Sequence, residues 1–222
     1  MSTAVLLEGR GLHRFFRRGD TEVFALRDVT VRVAAGELVA VVGPSGSGKS
    51  TLLGLLAGVD NPDGGSVWVD GERLSHRPPA EQARLRGRYI GVLTQASGLI
   101  DHLSVLGNIR LAESFRPRGS DSPDAGELLA AVRLGYRAHA RPATLSGGET
   151  ARAGLAVALA GGPSVLLADE PTAEVSREEE GALLGLVRSA RPAGSATLIV
   201  THSIAVADIA DRVVTLRDGR IT

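Results

Sequence analysis

A single lysine, Lys49, stands among 24 arginines in this chain of 222 residues. It lies in the run Gly43-Pro44-Ser45-Gly46-Ser47-Gly48-Lys49-Ser50-Thr51, which fits the pattern G-x-x-x-x-G-K-[ST] of a phosphate-binding loop. Glycines let such a loop wrap a phosphate chain with its N–H groups turned inward, and the helix start that follows adds positive potential. A compact ammonium suits the interior of that cradle better than an arginine fork does. Lys49 is therefore expected to reach β- and γ-phosphates, and the Ser50 hydroxyl to ligate Mg²⁺.

Two carboxylates, Asp169 and Glu170, follow the apolar run Val165-Leu-Leu-Ala168. On a strand expected to lie beside the phosphate-loop strand, Asp169 would hold Mg²⁺ directly or through water, and Glu170 would orient and polarise an attacking water. Taken alone, Asp169 is equally an ordinary helix cap ahead of Pro171. His202 follows Thr197-Leu-Ile-Val-Thr201, again at the end of an apolar run, within reach of a γ-phosphate. His13, His76, His102 and His139 show no i, i+4 pairing and read as ordinary residues.

The elements that must hold these groups are an alternation of buried strands and helices, the mark of an α/β fold with a parallel sheet covered on both faces. Leu38–Val42, Tyr89–Leu93, Ser164–Asp169 and Thr197–Val200 are the clearest strands. Helices are expected over 49–58, 177–188 and 204–211, so ligands should gather at strand C-termini. Val23–Val33, Ser66–Gly71 and the tail Val213–Ile221 alternate in period two with Asp-Gly turns, which suggests a small antiparallel sheet beside the parallel core. Strand signals stop between Gln95 and about Gly162. There Ser104 should cap one helix running to Phe115, and Ser122 should cap the next with Pro123 at its first position. The expected organisation is one domain over 1–222, with a core of 1–94 and 163–222 and an inserted helical subdomain over 95–162.

Composition removes several function classes. Lys plus Arg and Asp plus Glu are both 25, so no global basic field exists to hold nucleic acid, and none is expected as a partner. The absence of cysteine excludes disulfides and thiolate chemistry. No apolar run approaches the length of a membrane span, and the first residues lack a leader pattern. A cytoplasmic location is the expectation.

Leu145-Ser146-Gly147-Gly148-Glu149, about twenty residues ahead of the acidic pair, resembles the L-S-G-G-Q signature of ATP-binding-cassette (ABC) ATPases. The order of phosphate loop, Gln95, signature, acidic pair and His202 is similar to that family over almost the whole chain. The resemblance implies a P-loop NTPase with a RecA-like parallel-sheet core, an antiparallel β subdomain and an inserted helical subdomain. It implies cassettes paired head to tail, with ATP held between the phosphate loop of one and Ser146, Gly147 and Gly148 of the other. Gln95 would then sense Mg²⁺ and nucleotide, and an aromatic ahead of the loop, Phe16 in preference to Phe15, would stack on adenine. Residues 13–37 and 88–109 resemble the lipoprotein-releasing, macrolide-exporting and cell-division group. That resemblance implies a permease, here a separate polypeptide, peripheral attachment on the inner face of the cell membrane, and docking through Leu99, Ile100, His102 and Leu103. Partner cassettes identical or different both fit.

Two positions depart from the family pattern. Ser176 stands where the family has an aspartate in the segment that crosses the dimer, and Glu149 replaces the signature glutamine. A carboxylate facing a partner's γ-phosphate is expected to slow closure by like-charge repulsion. On that expectation turnover is slow, or the partner is a more regular cassette, and the double variant Glu149→Gln, Ser176→Asp turns over faster.

Overall fold

The computed structural model describes residues 4–18, 21–95, 98–115 and 123–222. Its first elements are β1 (Val5–Arg18), β2 (Thr21–Ala34), β3 (Leu38–Val42), α1 (Lys49–Leu56), β4 (Gly64–Val69), β5 (Glu72–Arg73), α2 (Pro79–Tyr89) and β6 (Ile90–Leu93). Three helices follow, α3 (Val105–Ser114), α4 (Ala125–Ala131) and α5 (Gly147–Leu159). Then come β7 (Val165–Asp169), α6 (Arg177–Ser189), β8 (Ala196–Thr201), α7 (Ile204–Ile209), β9 (Arg212–Arg217) and β10 (Arg220–Ile221).

The strands form two sheets. A six-stranded sheet runs β10-β9-β3-β8-β7-β6, parallel throughout except for β10 at one edge. A four-stranded antiparallel sheet runs β2-β1-β4-β5. Side chains alternate across a strand, and the two faces of the larger sheet fill different cores. Val39, Val41, Val165, Leu167, Leu198 and Val200 pack with α1 and the smaller sheet. Leu38, Ala40, Leu166, Ala168 and Ile199 pack with α3 to α7. Burial on both faces is why these strands read as continuous apolar runs.

Three sequence expectations are corrected. The tail does not join the antiparallel sheet, because Arg212–Arg217 pairs parallel with Val39–Val42 in the larger one. Only the two-residue β10 is antiparallel there, across the Asp218-Gly219 turn. The acidic pair's strand is not beside the phosphate-loop strand, since β8 lies between β3 and β7. The cap of α4 is Asp124, whose side chain accepts from Glu127 N while Glu127 returns the bond to Asp124 N. Ser122 itself lies outside the described residues. Ser104 caps α3 as expected, accepting from Gly107 N at 3.0 Å, and no strand lies between β6 and β7 among the described residues.

Candidate active site

β3 ends at Val42 and α1 starts at Lys49, so residues 43–48 must reverse the chain at the C-terminal end of β3. Gly48 does so at φ +104, where a side chain is strained, and a Cβ there would also lie 2.3 Å from the Ala25 carbonyl oxygen. Gly43 lies against β9, with room for no Cβ beside the Leu216 carbonyl. α1 has no side-chain cap, so its first N–H groups keep their capacity for an anion. Lys49 Nζ donates to the carbonyls of Gly43 at 2.8 Å and Pro44 at 3.1 Å, which folds the ammonium back along the loop. Ser47 is buried, and its Oγ has no hydrogen-bond partner among the described residues.

Above the loop opens a cleft of about 690 Å³. Phe16 and Ala25 wall it from β1 and β2, and Ser45, Gly46, Gly48, Lys49, Ser50 and Thr51 form its floor. Gln95 enters just after β6, Asp169 and Glu170 at the end of β7, and His202 just after β8. These are C-terminal ends of parallel strands, where an open α/β sheet binds ligands. Although β8 intervenes, α1 crosses the sheet against both β7 and β8, and Ser50 Oγ reaches Asp169 Oδ1 at 3.4 Å. Burial pushes the Asp169 carboxyl above its ordinary pKa, and the Ser50 hydroxyl opposes that shift. A hydroxyl and a carboxylate so placed are hard oxygen donors suited to a Mg²⁺ that also takes phosphate and water.

Glu170 adopts a left-handed backbone, φ +45, a conformation that costs a non-glycine residue roughly 1–2 kcal/mol. Its carboxylate is then gripped from β8 and beyond. Thr201 Oγ1 donates to Oε2 at 2.9 Å, His202 N donates to the same oxygen at 3.2 Å, and His202 Nδ1 contacts Oε1 at 2.9 Å. Thr201 is fully buried and accepts in turn from Ser203 N at 2.9 Å. The two groups expected to act separately on water and phosphate are therefore one hydrogen-bonded unit. With Nδ1–H given to Glu170, the neutral His202 ring offers only a lone pair at Nε2. The imidazolium alone donates to Glu170 and to a phosphate oxygen together. Sequence reading missed Thr201, for which adjacency to His202 was the available signal.

Phe16 lines the cleft, whereas Phe15 turns to Phe24 across the hairpin, with ring centroids 6.0 Å apart. Ser146, Gly147 and Gly148 do not line the cleft. They start α5, where Gly147 is held so close to the Glu174 carbonyl that a Cβ would lie 2.3 Å from it. Ser146 Oγ accepts from Glu149 N at 3.2 Å, and Glu149 Oε2 accepts from Ser146 N at 3.0 Å, the reciprocal pair of a capping box. The same carboxylate takes Arg137 Nε at 2.9 Å, Arg137 Nη2 at 3.1 Å and Tyr136 Oη at 2.9 Å. Arg137 first, then the Ser146 N–H, holds the Glu149 carboxyl down at about 2. Glu149 is thus buried, and its charge is matched within the chain by Arg137. Ser176 caps α6, accepting from Glu179 N at 3.4 Å.

Fold and cleft together define a P-loop NTPase cassette. A family model described as ABC transporter matches residues 26–173. The chain is 37% identical, over 99% of its length, to the macrolide export ATP-binding/permease protein MacB of Sodalis glossinidius, and spans about a third (34%) of that protein. It is 39% identical over 94% of its length to an uncharacterized ABC transporter ATP-binding protein of Thermotoga maritima, of which it covers 90%. Among solved structures, the dimeric post-hydrolysis state of the ATP-binding cassette MJ0796, bound to ADP and Pi, matches with a TM-score of 0.88 at 31% identity, covering 97% of this chain and 96% of that one. The chain belongs to the ABC transporter family.

Proposed function

We propose that this chain binds and hydrolyses ATP as the nucleotide-binding subunit of an ABC transporter, and that ATP-dependent closure of a cassette dimer drives a membrane permease. The carrying observation is the meeting, in one cleft, of an uncapped helix start, the chain's single lysine, the Ser50–Asp169 pair and the Glu170–His202 unit. Loop N–H groups and Lys49 hold the β- and γ-phosphates, and Phe16 stacks on the base. Ser50, Asp169 and Gln95 would hold Mg²⁺, which neutralises phosphate charge when bound. Glu170 fixes the attacking water and polarises its O–H bond toward a carboxylate oxygen, while His202 steadies that carboxylate and faces the γ-phosphate. Thr201 keeps the carboxylate in place.

Ser146, Gly147 and Gly148 complete the site from a partner cassette, identical or different. That none of them lines the cleft in its own chain and the dimeric relative support this. Residues 95–162 act as a helical subdomain on a core of 1–94 and 163–222, with Gln95 as the link between them. Leu99, Ile100, His102 and Leu103, exposed or half-buried just beyond Gln95, form the docking surface for the permease. No helix among the described residues is long and apolar enough to cross a membrane. The Thermotoga maritima relative of similar span supports a permease on a separate polypeptide, with this subunit peripheral on the cytoplasmic face.

The test is to tag the Glu170→Gln protein, solubilise membranes in mild detergent with ATP, and identify what co-purifies. A permease is the expected result, and a second cassette beside it would make the dimer heteromeric. Recovery of the bait without any membrane protein would overturn the transporter reading.

A further inference from the structure

Phe16 lies near the end of β1 and is 45% exposed, a setting in which a ring is free to change rotamer. Two residues earlier on the same strand, Arg14 lays its guanidinium over that ring, with Cζ 5.0 Å from the centroid. The guanidinium is itself anchored. Nη2 donates to Asp60 Oδ2 at 2.6 Å and Nη1 to Asp63 Oδ1 at 3.1 Å. Asp63 Oδ2 also accepts from Phe15 N at 2.8 Å, and Asp63 N donates to the His13 carbonyl at 2.9 Å. The connection between α1 and β4, which carries both aspartates, is thereby stitched to β1. The Arg14 side chain is only 20% exposed, and its Nε is buried with no hydrogen-bond partner among the described residues.

Two carboxylates on one guanidinium leave it no surplus charge to offer a phosphate. An isolated exposed ion pair contributes little to stability, yet here two carboxylates fix the one guanidinium that lies over a ring at the rim of the cleft. A cation over an aromatic face holds the ring in one plane, and a preset ring loses less side-chain entropy when a ligand stacks on it.

We propose that Arg14, anchored by Asp60 and Asp63, is a positioning residue that sets Phe16 as the platform for the base of the nucleotide and so tunes affinity for the base end of ATP without acting on the phosphates. This rests on the reading of Phe16 as the base-stacking residue.

The experiment measures dissociation constants of the full chain for ATP and for inorganic tripolyphosphate, which has phosphates and no base. The variants are Arg14→Met, Phe16→Ala and the two combined. A cation–π contact at an exposed site predicts that Arg14→Met weakens ATP by about two- to fivefold. It leaves tripolyphosphate unchanged and adds nothing once Phe16 is alanine, since Arg14 acts through that ring. If Phe16→Ala leaves ATP affinity intact, the base-stacking reading falls, and this proposal with it. If Phe16→Ala weakens ATP while Arg14→Met does not, or if Arg14→Met weakens both ligands alike, the role of Arg14 is overturned and that of Phe16 stands. Should Arg14→Met not fold, Asp60→Asn loosens the same anchor with the guanidinium retained and carries the same expectation.

Discussion

Two helix starts in this molecule are built from glycine-rich backbone, and they differ in what their polar groups already hold. α1 begins at an uncapped Gly48, its lysine folded onto the carbonyls of its own loop. α5 begins with a closed capping box, and the Glu149 carboxylate of that box is further clasped by Arg137 and Tyr136. Donors at the first site are available to a ligand held by the same chain. At the second they belong to a fixed surface whose internal charges are balanced before any partner arrives. A lesion at α1 should therefore register as lost nucleotide affinity, and a lesion behind α5 as lost turnover with affinity kept.

The largest separation between the two is expected from Lys49→Ala, which removes a charged donor from the phosphates and should weaken ATP binding by about a hundredfold. Circular dichroism and melting should show the fold intact, because the Lys49 hydrogen bonds go only to its own loop. Thr201→Val comes next. It deletes the hydroxyl that donates to Glu170 and should lower kcat by about tenfold with ATP affinity preserved, and Thr201→Ser should restore it. Arg137→Ala strips Glu149 of its cation, and the expected outcome is a lower melting temperature and slower turnover at unchanged ATP affinity. A drop in ATP affinity in that variant would erase the contrast between the two helix starts.

The smallest effect is a pH dependence. Glu149 is held at about 2 in the fold against an ordinary 4.5, so the folded state favours its ionised form. That stabilisation is complete above about pH 4.5 and is lost as pH falls toward 2. The melting deficit of Glu149→Gln should be constant from pH 7 to about 5 and shrink below that. A deficit that stays level down to pH 3 would mean that the Arg137 pair is not its source.

The phosphate loop, the strands at Leu38–Val42 and Val165–Asp169 and the acidic pair were legible because local pattern decides them: an apolar run buried on both faces, then glycine or carboxylate. Other features depend on partners distant in sequence. β1 was hidden by its arginines and by the register shifts at Gly9–Leu12, Leu12–Arg14 and Arg14–Phe15 that break its alternation against β2. The insertion of β8 between β3 and β7, and the parallel pairing of β9 with β3, join segments with no shared local signal. Glu149 looked like a free charge from its own neighbours. Its neutralisation comes from Arg137 and Tyr136, twelve and thirteen residues earlier, which a short 3₁₀ turn at Gly135–Arg137 brings beneath α5. Ser176 likewise departs from the family's residue, and the structure gives it work as the cap of α6.

The most direct test of the central claim follows conversion of bound ATP to ADP, with Mg²⁺ present, in the wild-type chain and Glu170→Gln side by side. Glutamine keeps the shape of the side chain and gives up the charge that polarises water. The account predicts that both proteins retain nucleotide and that conversion slows by about 10²- to 10⁴-fold in the variant. Conversion at the wild-type rate would contradict it, and would place the base for water attack elsewhere than at the end of β7.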